Sequence, residues 1–331
     1  MAPPDIVEQI RLRWVNERQH HDRFRVVLQD SVQDALRSNG IPARVTSRLK
    51  EVDSLVRKVM KQLKEGRSPS FESIVDKIGV RAIVRFSEEV EEAADLLCGA
   101  FRCIKLDFKS ESKKLNEFGY ESCHVDIALR PDHRDYMSFS SLVGELQVRT
   151  SAQDLWADMA HELSYKSVLR ELVPSLQESI DRRIYILSAL VESADMEFSR
   201  INKEILSSPG AEDLLLLRAL EREYFKFTAH QYDPEFSLES IAILRTVNPR
   251  PLAQLREELA DFSKANAKKL SHVFVDQASN LDRSIFLFQP ESILIFECLE
   301  KQQLALEDVW ELNLPVRELE RLAVAWGVQV Y

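Results

Sequence analysis

The sequence is poor in cysteine and contains no long apolar run. Its four cysteines form no C-x-x-C pair and no metal-ligand spacing, which disfavours a structural zinc site and disulfides and is typical of a reducing compartment. No stretch approaches the roughly 18 apolar residues of a membrane span, and the amino terminus lacks the pattern of a signal peptide. We therefore expect a cytoplasmic protein without a membrane partner.

The charge balance is acidic, with a formal net charge of -10 and a pI of about 5.4. Nonspecific affinity for nucleic acid comes mainly from cations that neutralise phosphates. The composition therefore argues against broad nucleic-acid binding, although a local basic patch is still compatible with it.

The chain of 331 residues is longer than one typical domain, so two are expected. Helical periodicity predicts a first helix over about 6–38, a mixed core over about 40–170 and a helical tail to 206. The best linker candidate is Ser207-Ser-Pro-Gly210. We predict a first domain over 1–206 and a helical second domain over 207–331, either a regulatory module that binds a partner or a second copy, or a stabilising extension.

Within the core, extended and helical patterns alternate. Extended patterns occupy 43–48, 79–86, 104–108, 122–129 and 144–150, with helical patterns at 51–64 and 88–101. The predicted fold class is α+β, with a mixed five-stranded sheet flanked by helices and followed by a mostly helical C-terminal region.

A basic cluster begins this core. Arg48 and Lys50 end an extended segment, and Ser54 and Lys58 lie in the helix that follows. The cationic groups of the arginine and the two lysines can bind a phosphate near the start of that helix. The alternative is a solvated basic face, which is the commoner meaning of a charge run.

A second cluster contains an acid and an arginine on either side of a glycine. Asp76 can supply a hard oxygen ligand for magnesium, and Arg81 can stack on a base or bind phosphate. An ordinary turn followed by an ion pair would produce the same pattern.

A third cluster joins two lysines to a polar strand face. Lys113 and Lys114 precede Tyr120, Ser122 and His124, which alternation places on one face. The tyrosine ring can stack on a purine, while the lysines and the histidine can meet phosphate oxygens. A tyrosine at the edge of a core is the structural alternative.

The fourth cluster lies on the strand at 144–150. Glu145, Gln147 and Arg149 share one strand face, opposite an apolar face. A half-buried carboxylate needs a partner, so Glu145 binds a metal, accepts a proton, or forms an ion pair with Arg149 or Arg81.

In order and residue type, these four clusters resemble the synthetase domain of the RelA/SpoT family, the makers of (p)ppGpp. The resemblance covers about residues 40–200. Each motif alone is weak evidence for the family, whereas four motifs in the family's order are specific evidence. The motifs are Arg48-x-Lys50-x-x-x-Ser54-x-x-x-Lys58, Asp76-x-x-Gly79-x-Arg81, Gly119-Tyr120-x-Ser122-x-His124, and Glu145-x-Gln147-x-Arg149-Thr150 with Trp156, His161, Tyr165 and Lys166.

The resemblance implies a nucleotidyltransferase-like sheet. Its reaction moves the β,γ-pyrophosphoryl group of ATP to the 3′-hydroxyl of GDP or GTP and releases AMP. Such a transfer depends mainly on positioning and charge neutralisation, which cations and a metal supply.

Residue roles also follow from the resemblance. Arg48 and Arg81 would sandwich adenine, and the ATP phosphates would bind the basic segment that includes Lys50, Ser54 and Lys58. Asp76 and Glu145 would hold Mg²⁺, and Glu145 would also take the proton of the attacking hydroxyl. The predicted acceptor-binding residues are Lys113, Lys114, Tyr120, His124 and Gln147.

The sequence departs from the family pattern in two places. Ala160 replaces an acid usual before the motif histidine, and Glu121 stands where a basic or amide residue is more frequent. We also interpret His21-Asp22 as a surface feature, because too little chain precedes the core for the family's hydrolase domain.

Two alternatives to a guanine-nucleotide synthetase stay open. The same chemistry could act on an adenine nucleotide or on the 3′ end of tRNA, the latter disfavoured by the acidic charge balance. The chain could instead be a catalytically silent nucleotide-binding module, which the presence of both Asp76 and Glu145 disfavours.

Overall fold

The computed structural model describes residues 3–108, 123–165, 174–247, 249–276 and 283–330. The chain divides into two compact units, the first comprising the described residues up to Leu36 and from Ala43 to Arg200. The second contains residues 37–42 and the described residues from Ile201 onward. Predicted acceptor residues Lys113, Lys114 and Tyr120 lie outside the described residues, as do Glu121, Ser122 and Lys166 of the motifs.

The first unit is built on five strands. The strands are β1 (Arg44–Leu49), β2 (Ile78–Val84), β3 (Arg102–Phe108), β4 (Cys123–Ala128) and β5 (Gly144–Thr150). The helices up to residue 207 are α1 (Pro3–Ser38), α2 (Val52–Lys64), α3 (Ser87–Ala100), α4 (Tyr136–Phe139), α5 (Ser151–Tyr165) and α6 (Pro174–Ser207).

The strands form one mixed sheet in the order β1-β2-β5-β4-β3. β2 and β5 run parallel, while the other neighbouring strands are antiparallel. The predicted mixed five-stranded sheet with flanking helices is therefore confirmed.

One face of the sheet is apolar and covered by helices. Val80 of β2 and Leu146 of β5 are fully buried on this face, and α3 packs against the same sheet. α1 approaches so closely that a Cβ atom on Gly144 would lie 2.5 Å from a methyl carbon of Leu28. The absence of a side chain at residue 144 thus permits this packing and leaves the opposite face of the sheet for polar residues.

His21 belongs to a buried cluster, so its interpretation as a surface feature is wrong. The imidazole is 1% exposed and lies edge-on to the rings of Trp14 and Phe71. Its Nδ1 hydrogen-bonds to the carbonyl of Glu17 at 3.0 Å. Burial lowers the pKa of His21, which keeps the ring neutral. Asp22 remains half exposed.

The second unit is helical, which confirms the expected character of the C-terminal region. Its helices are α7 (Glu212–Phe225), α8 (Pro234–Leu244), α9 (Leu252–Ala265), α10 (Ala267–Asp276), α11 (Ser292–Lys301), α12 (Gln303–Asn313) and α13 (Val316–Trp326). Tyr224, Phe296, Trp310 and Trp326 are among the large side chains buried in its core. Gly40 lies two residues after the end of α1 and has a φ of 66°, a conformation that favours glycine. A Cβ atom at this position would lie 2.3 Å from the carbonyl oxygen of Arg222, so the packing also requires glycine.

A charged group is buried in this second core together with its partners. Glu297 is fully buried and receives two hydrogen bonds of 2.9 Å from Arg250 and one of 3.0 Å from Lys301. These bonds compensate the cost of removing the carboxylate from water.

Among the described helices, none is long and apolar enough to cross a membrane.

Candidate active site

The polar face of the sheet collects the predicted site residues in two adjacent rows. Strand register aligns Arg48, Gly79, Glu145 and Asp126 across four strands. The neighbouring row contains Thr46, Arg81, Gln147 and His124 in the same strand order. The two-residue period of strands therefore brings residues from distant motifs onto one surface.

A cavity of about 430 Å³ opens on these rows. It is lined by Arg48, Leu49, Lys50, Glu51, Ser54, Asp76, Gly79, His124, Glu145 and Gln147. An adjoining hollow of about 140 Å³ is lined by Thr46, Ser47, Arg48, Gly79, Arg81 and Gln147. The structure therefore brings residues from all four predicted motifs around two neighbouring spaces, which share Arg48, Gly79 and Gln147 in their lining.

Asp76 lies between two lysines on one side of the cavity. Its carboxylate is 2.5 Å from Lys50 Nζ and 2.8 Å from Lys58 Nζ. Burial acts to raise the pKa of Asp76, but the hydrogen bonds from the two lysines outweigh it and lower the pKa. The carboxylate is therefore ionised, and the three groups together carry one net positive charge.

Glu145 lies across the cavity and is held by two neighbours on its own sheet face. His124 Nδ1 is 2.8 Å from Glu145 Oε1, and Gln147 Nε2 donates to the same oxygen at 2.5 Å. Because a carboxylate can only accept, Nδ1 carries the proton in this contact. The carboxylate orientation is thus set by β4 and β5 together.

Two buried polar atoms at this position lack a hydrogen-bond partner within the described part of the chain. They are His124 Nε2 and Gln147 Oε1, and both residues line the cavity. A buried polar atom without a partner costs roughly 1–3 kcal/mol. The cavity is therefore suited to a polar ligand that would satisfy both atoms.

Arg81 is held by two carboxylates of α5. Its Nη1 donates to Asp154 at 3.2 Å and to Asp158 at 2.9 Å. Asp154 is nearly buried and also lies 3.5 Å from Arg44, whereas Asp158 is largely exposed. The two acids were missed in the sequence, although their four-residue spacing on a helix that directly follows β5 is a usable signal.

Two further residues on the polar face were not among the predicted site residues. Burial and the neighbouring Glu145 raise the pKa of Asp126, which alternates with His124 along β4. Burial and the nearby Arg81 lower the pKa of Arg149. Arg149 is buried, and its Nε and Nη1 lack a hydrogen-bond partner in the described structure. Alternation had already placed Arg149 on the face of Glu145 without a role in the site, and alternation from His124 could have identified Asp126.

Three comparisons place these observations beside known proteins. Residues 47–169 match a family model described as the region found in RelA / SpoT proteins. The match confirms the resemblance inferred from the motifs.

Curated relatives come from Bacillus subtilis (strain 168). The chain is 29% identical to GTP pyrophosphokinase YwaC over 146 residues, covering 42% of this chain and 68% of the relative. It is 25% identical to GTP pyrophosphokinase YjbM over 167 residues, covering 50% of this chain and 75% of the relative.

A solved structure of small alarmone synthetase 1 from Bacillus subtilis bound to its product pppGpp is 23% identical in sequence to this chain. The match has a TM-score of 0.45 and covers 60% of this chain and 100% of that one.

Proposed function

We propose that this chain is an ATP-dependent pyrophosphokinase that makes (p)ppGpp. It transfers the β,γ-pyrophosphoryl group of ATP to the 3′-hydroxyl of GDP or GTP, with AMP as the second product. Support comes from the family match over 47–169 and from two relatives named GTP pyrophosphokinase. The observation that carries the proposal is the presence of Asp76, Glu145 and Lys50 around one cavity.

ATP occupies the side of the cavity nearest β1 and α2 in this proposal. Lys50 and Lys58 supply two positive charges against the single charge of Asp76, so polyphosphate oxygens find an electropositive site. Ser54 lines the same cavity. Arg48 and Arg81 line the adjoining hollow, where their planar guanidinium groups stack on adenine.

The acceptor nucleotide occupies the side nearest β4. Ribose hydroxyl groups both donate and accept hydrogen bonds, so they can satisfy His124 Nε2 and Gln147 Oε1. Tyr120, Lys113 and Lys114 complete this half of the site, with the tyrosine ring on guanine and the lysines near the phosphates.

Asp76 and Glu145 are the residues that would hold Mg²⁺. Their oxygens suit a hard cation, and Mg²⁺ is usually bound by one or two carboxylates together with substrate phosphates. No cluster of three His, Cys, Asp or Glu side chains able to hold a metal occurs among the described residues, so the phosphates would complete the ligand set. When bound, the metal neutralises charge on the transferring group.

Glu145 also accepts the proton of the attacking 3′-hydroxyl. Its Oε1 is fixed by His124 and Gln147, which orients the carboxylate before the acceptor binds. A positioned base of this type accelerates a reaction about 10²- to 10⁴-fold. The protein's contribution is therefore a fixed base between two nucleotide sites.

The test is incubation of the purified full chain with γ-labelled ATP, Mg²⁺ and one acceptor at a time, followed by product separation. The acceptors are GDP, GTP, ADP, ATP and tRNA. Label on GDP or GTP together with AMP release is the expected result. Transfer only to an adenine nucleotide or to tRNA would replace the guanine acceptor, and nucleotide binding without any transfer would identify a silent module.

A Glu145→Gln variant provides the matched test of the site. It should lose at least about 100-fold in rate while remaining folded, because a neutral amide neither takes the proton nor binds the metal well. Glu91→Gln changes the same chemical group at an exposed position on α3 and should retain full activity. Equal rates for the two variants would remove Glu145 from the mechanism.

A further inference from the structure

Two of the four thiols lie side by side at the edge of the first unit. Cys98 is in the last turn of α3 and Cys103 is in β3, with Sγ atoms 3.6 Å apart. Cys103 is exposed and Cys98 is half-buried, so small reagents can reach the pair. Cys123 and Cys298 are buried in β4 and α11. The sequence spacing gave no hint of the pair, because a helix end and a strand start bring the two residues together.

The backbone around the pair can accommodate a covalent bond. A disulfide requires a sulfur separation of about 2.05 Å, so the two sulfurs must approach each other by about 1.5 Å. β3 is an edge strand, and its register with β4 shifts between Cys103 and Lys105. An edge strand is hydrogen-bonded on one side only, so fewer ladder hydrogen bonds oppose a local adjustment that brings the two sulfurs together.

We infer that Cys98 and Cys103 are a modification site that forms a reversible intramolecular disulfide when the protein meets a peroxide. The exposed Cys103 thiolate attacks one oxygen of hydrogen peroxide, giving a sulfenic acid and releasing hydroxide, which takes up a proton to become water. The Cys98 sulfur then displaces the hydroxyl group of the sulfenic acid, forming the S–S bond and releasing a second water. Two thiols and one hydrogen peroxide thus give one disulfide and two waters.

The order of these steps follows from the environments of the two thiols. Cys98 donates its S–H to the Cys103 sulfur, and the 3.6 Å separation of the two sulfurs places Cys98 beside the atom that it must attack once it has lost this proton. Burial and the hydrogen bond to Cys103 raise the pKa of Cys98 to about 11, and nearby Asp95 acts in the same direction. Cys98 is therefore a poor first nucleophile near neutral pH and acts as the resolving thiol. Closure should become faster as the pH rises, because more of Cys98 is then thiolate.

The experiment uses the full chain, reduced and freed of reductant. Protein is treated with stoichiometric hydrogen peroxide at pH 7 and pH 9, alkylated, and digested without reduction, and the peptides are identified by mass spectrometry. The expected product is a linked pair of peptides containing Cys98 and Cys103, about 2 Da lighter than the sum of its parts, formed faster at pH 9. Dithiothreitol should restore two alkylatable thiols per chain.

Variants distinguish this cross-link from general oxidation. Cys98→Ser should leave Cys103 as a sulfenic acid that dimedone labels, and Cys103→Ser should give no cross-link. Cys298→Ala, in the other unit, should form the disulfide at the unaltered rate, with circular dichroism checking the fold of each variant. Oxidation of Cys103 to sulfinic acid without a cross-link, or linkage only between chains, would overturn the inference.

Discussion

His124 and Glu145 meet across two neighbouring strands, with Nδ1 of the imidazole 2.8 Å from Oε1 of the carboxylate. His124 is predicted to bind the acceptor nucleotide, and Glu145 is predicted to take the proton of the acceptor's 3′-hydroxyl. The contact places these two side chains against each other. His124 therefore has two tasks in the proposed reaction, to contact the acceptor and to orient the base.

His124→Gln should test whether His124 orients the base Glu145 in addition to contacting the acceptor. The amide cannot reproduce the Nδ1 contact to Glu145, so we expect kcat to fall about 10- to 100-fold, with a change in the pH dependence of kcat. Rates of pyrophosphoryl transfer measured between pH 6 and pH 9 provide the readout. His230→Gln, at an exposed position in the second unit, is the control. An unchanged pH profile would restrict His124 to binding.

Lys58→Met should weaken ATP binding. The lysine lies 2.8 Å from Asp76 and, together with Lys50, binds the ATP phosphate oxygens in the proposed site. A charge-assisted hydrogen bond contributes about 1.5–3 kcal/mol, so kcat/KM for ATP should fall about 10- to 100-fold. Initial rates over a range of ATP concentrations test this. Lys61→Met removes an exposed lysine one turn along the same helix and should have little effect.

Asp154→Asn should loosen Arg81 without removing it. The nearly buried carboxylate accepts from Arg81 at 3.2 Å, so the amide leaves the guanidinium less firmly placed beside the hollow. We expect the KM for ATP to rise several-fold while kcat stays within about twofold. Asp158→Asn should matter less, because that pair is solvent-exposed and exposed pairs are worth about 0–1 kcal/mol. Equal effects of the two substitutions would contradict a positioning role for Asp154.

Local periodicity was enough to predict the strands and their polar face. The predicted strand at 144–150 is β5, and the predicted helix at about 6–38 is α1 with its end at Ser38. Alternation also correctly placed Glu145 and Gln147 on one face, because the direction of a strand side chain depends only on its position in the strand.

Contacts between distant segments could not be read in the same way. Two sets of salt bridges depend on which strands become neighbours. Asp76 pairs with Lys50 and Lys58, and Asp154 pairs with Arg81. His21 is different, since it lies seven residues after Trp14 and seven before Leu28, both fully buried. That spacing is two helical turns, so the burial of His21 could have been predicted from the face that it shares.

Glu291 makes the stability of the second unit depend on pH. The side chain is fully buried and accepts a 2.7 Å hydrogen bond from Ser237, and burial raises its pKa to about 7. In the unfolded chain the pKa returns to about 4.5. Between these values the folded state binds more protons than the unfolded state, so stability falls as the pH rises from about 4.5 to about 7 and is level above that range.

Glu291→Gln should abolish this dependence, because the amide is neutral at every pH and nearly the same size. At pH 8 the variant should be more stable than the parent chain by up to about 3 kcal/mol, whereas at pH 5 the gain should fall to about 1 kcal/mol or less. Urea unfolding followed by tryptophan fluorescence at both pH values measures the difference, with the exposed Glu320→Gln as control. A gain of equal size at pH 5 and pH 8 would show that packing, and not the ionisation of Glu291, separates the two proteins.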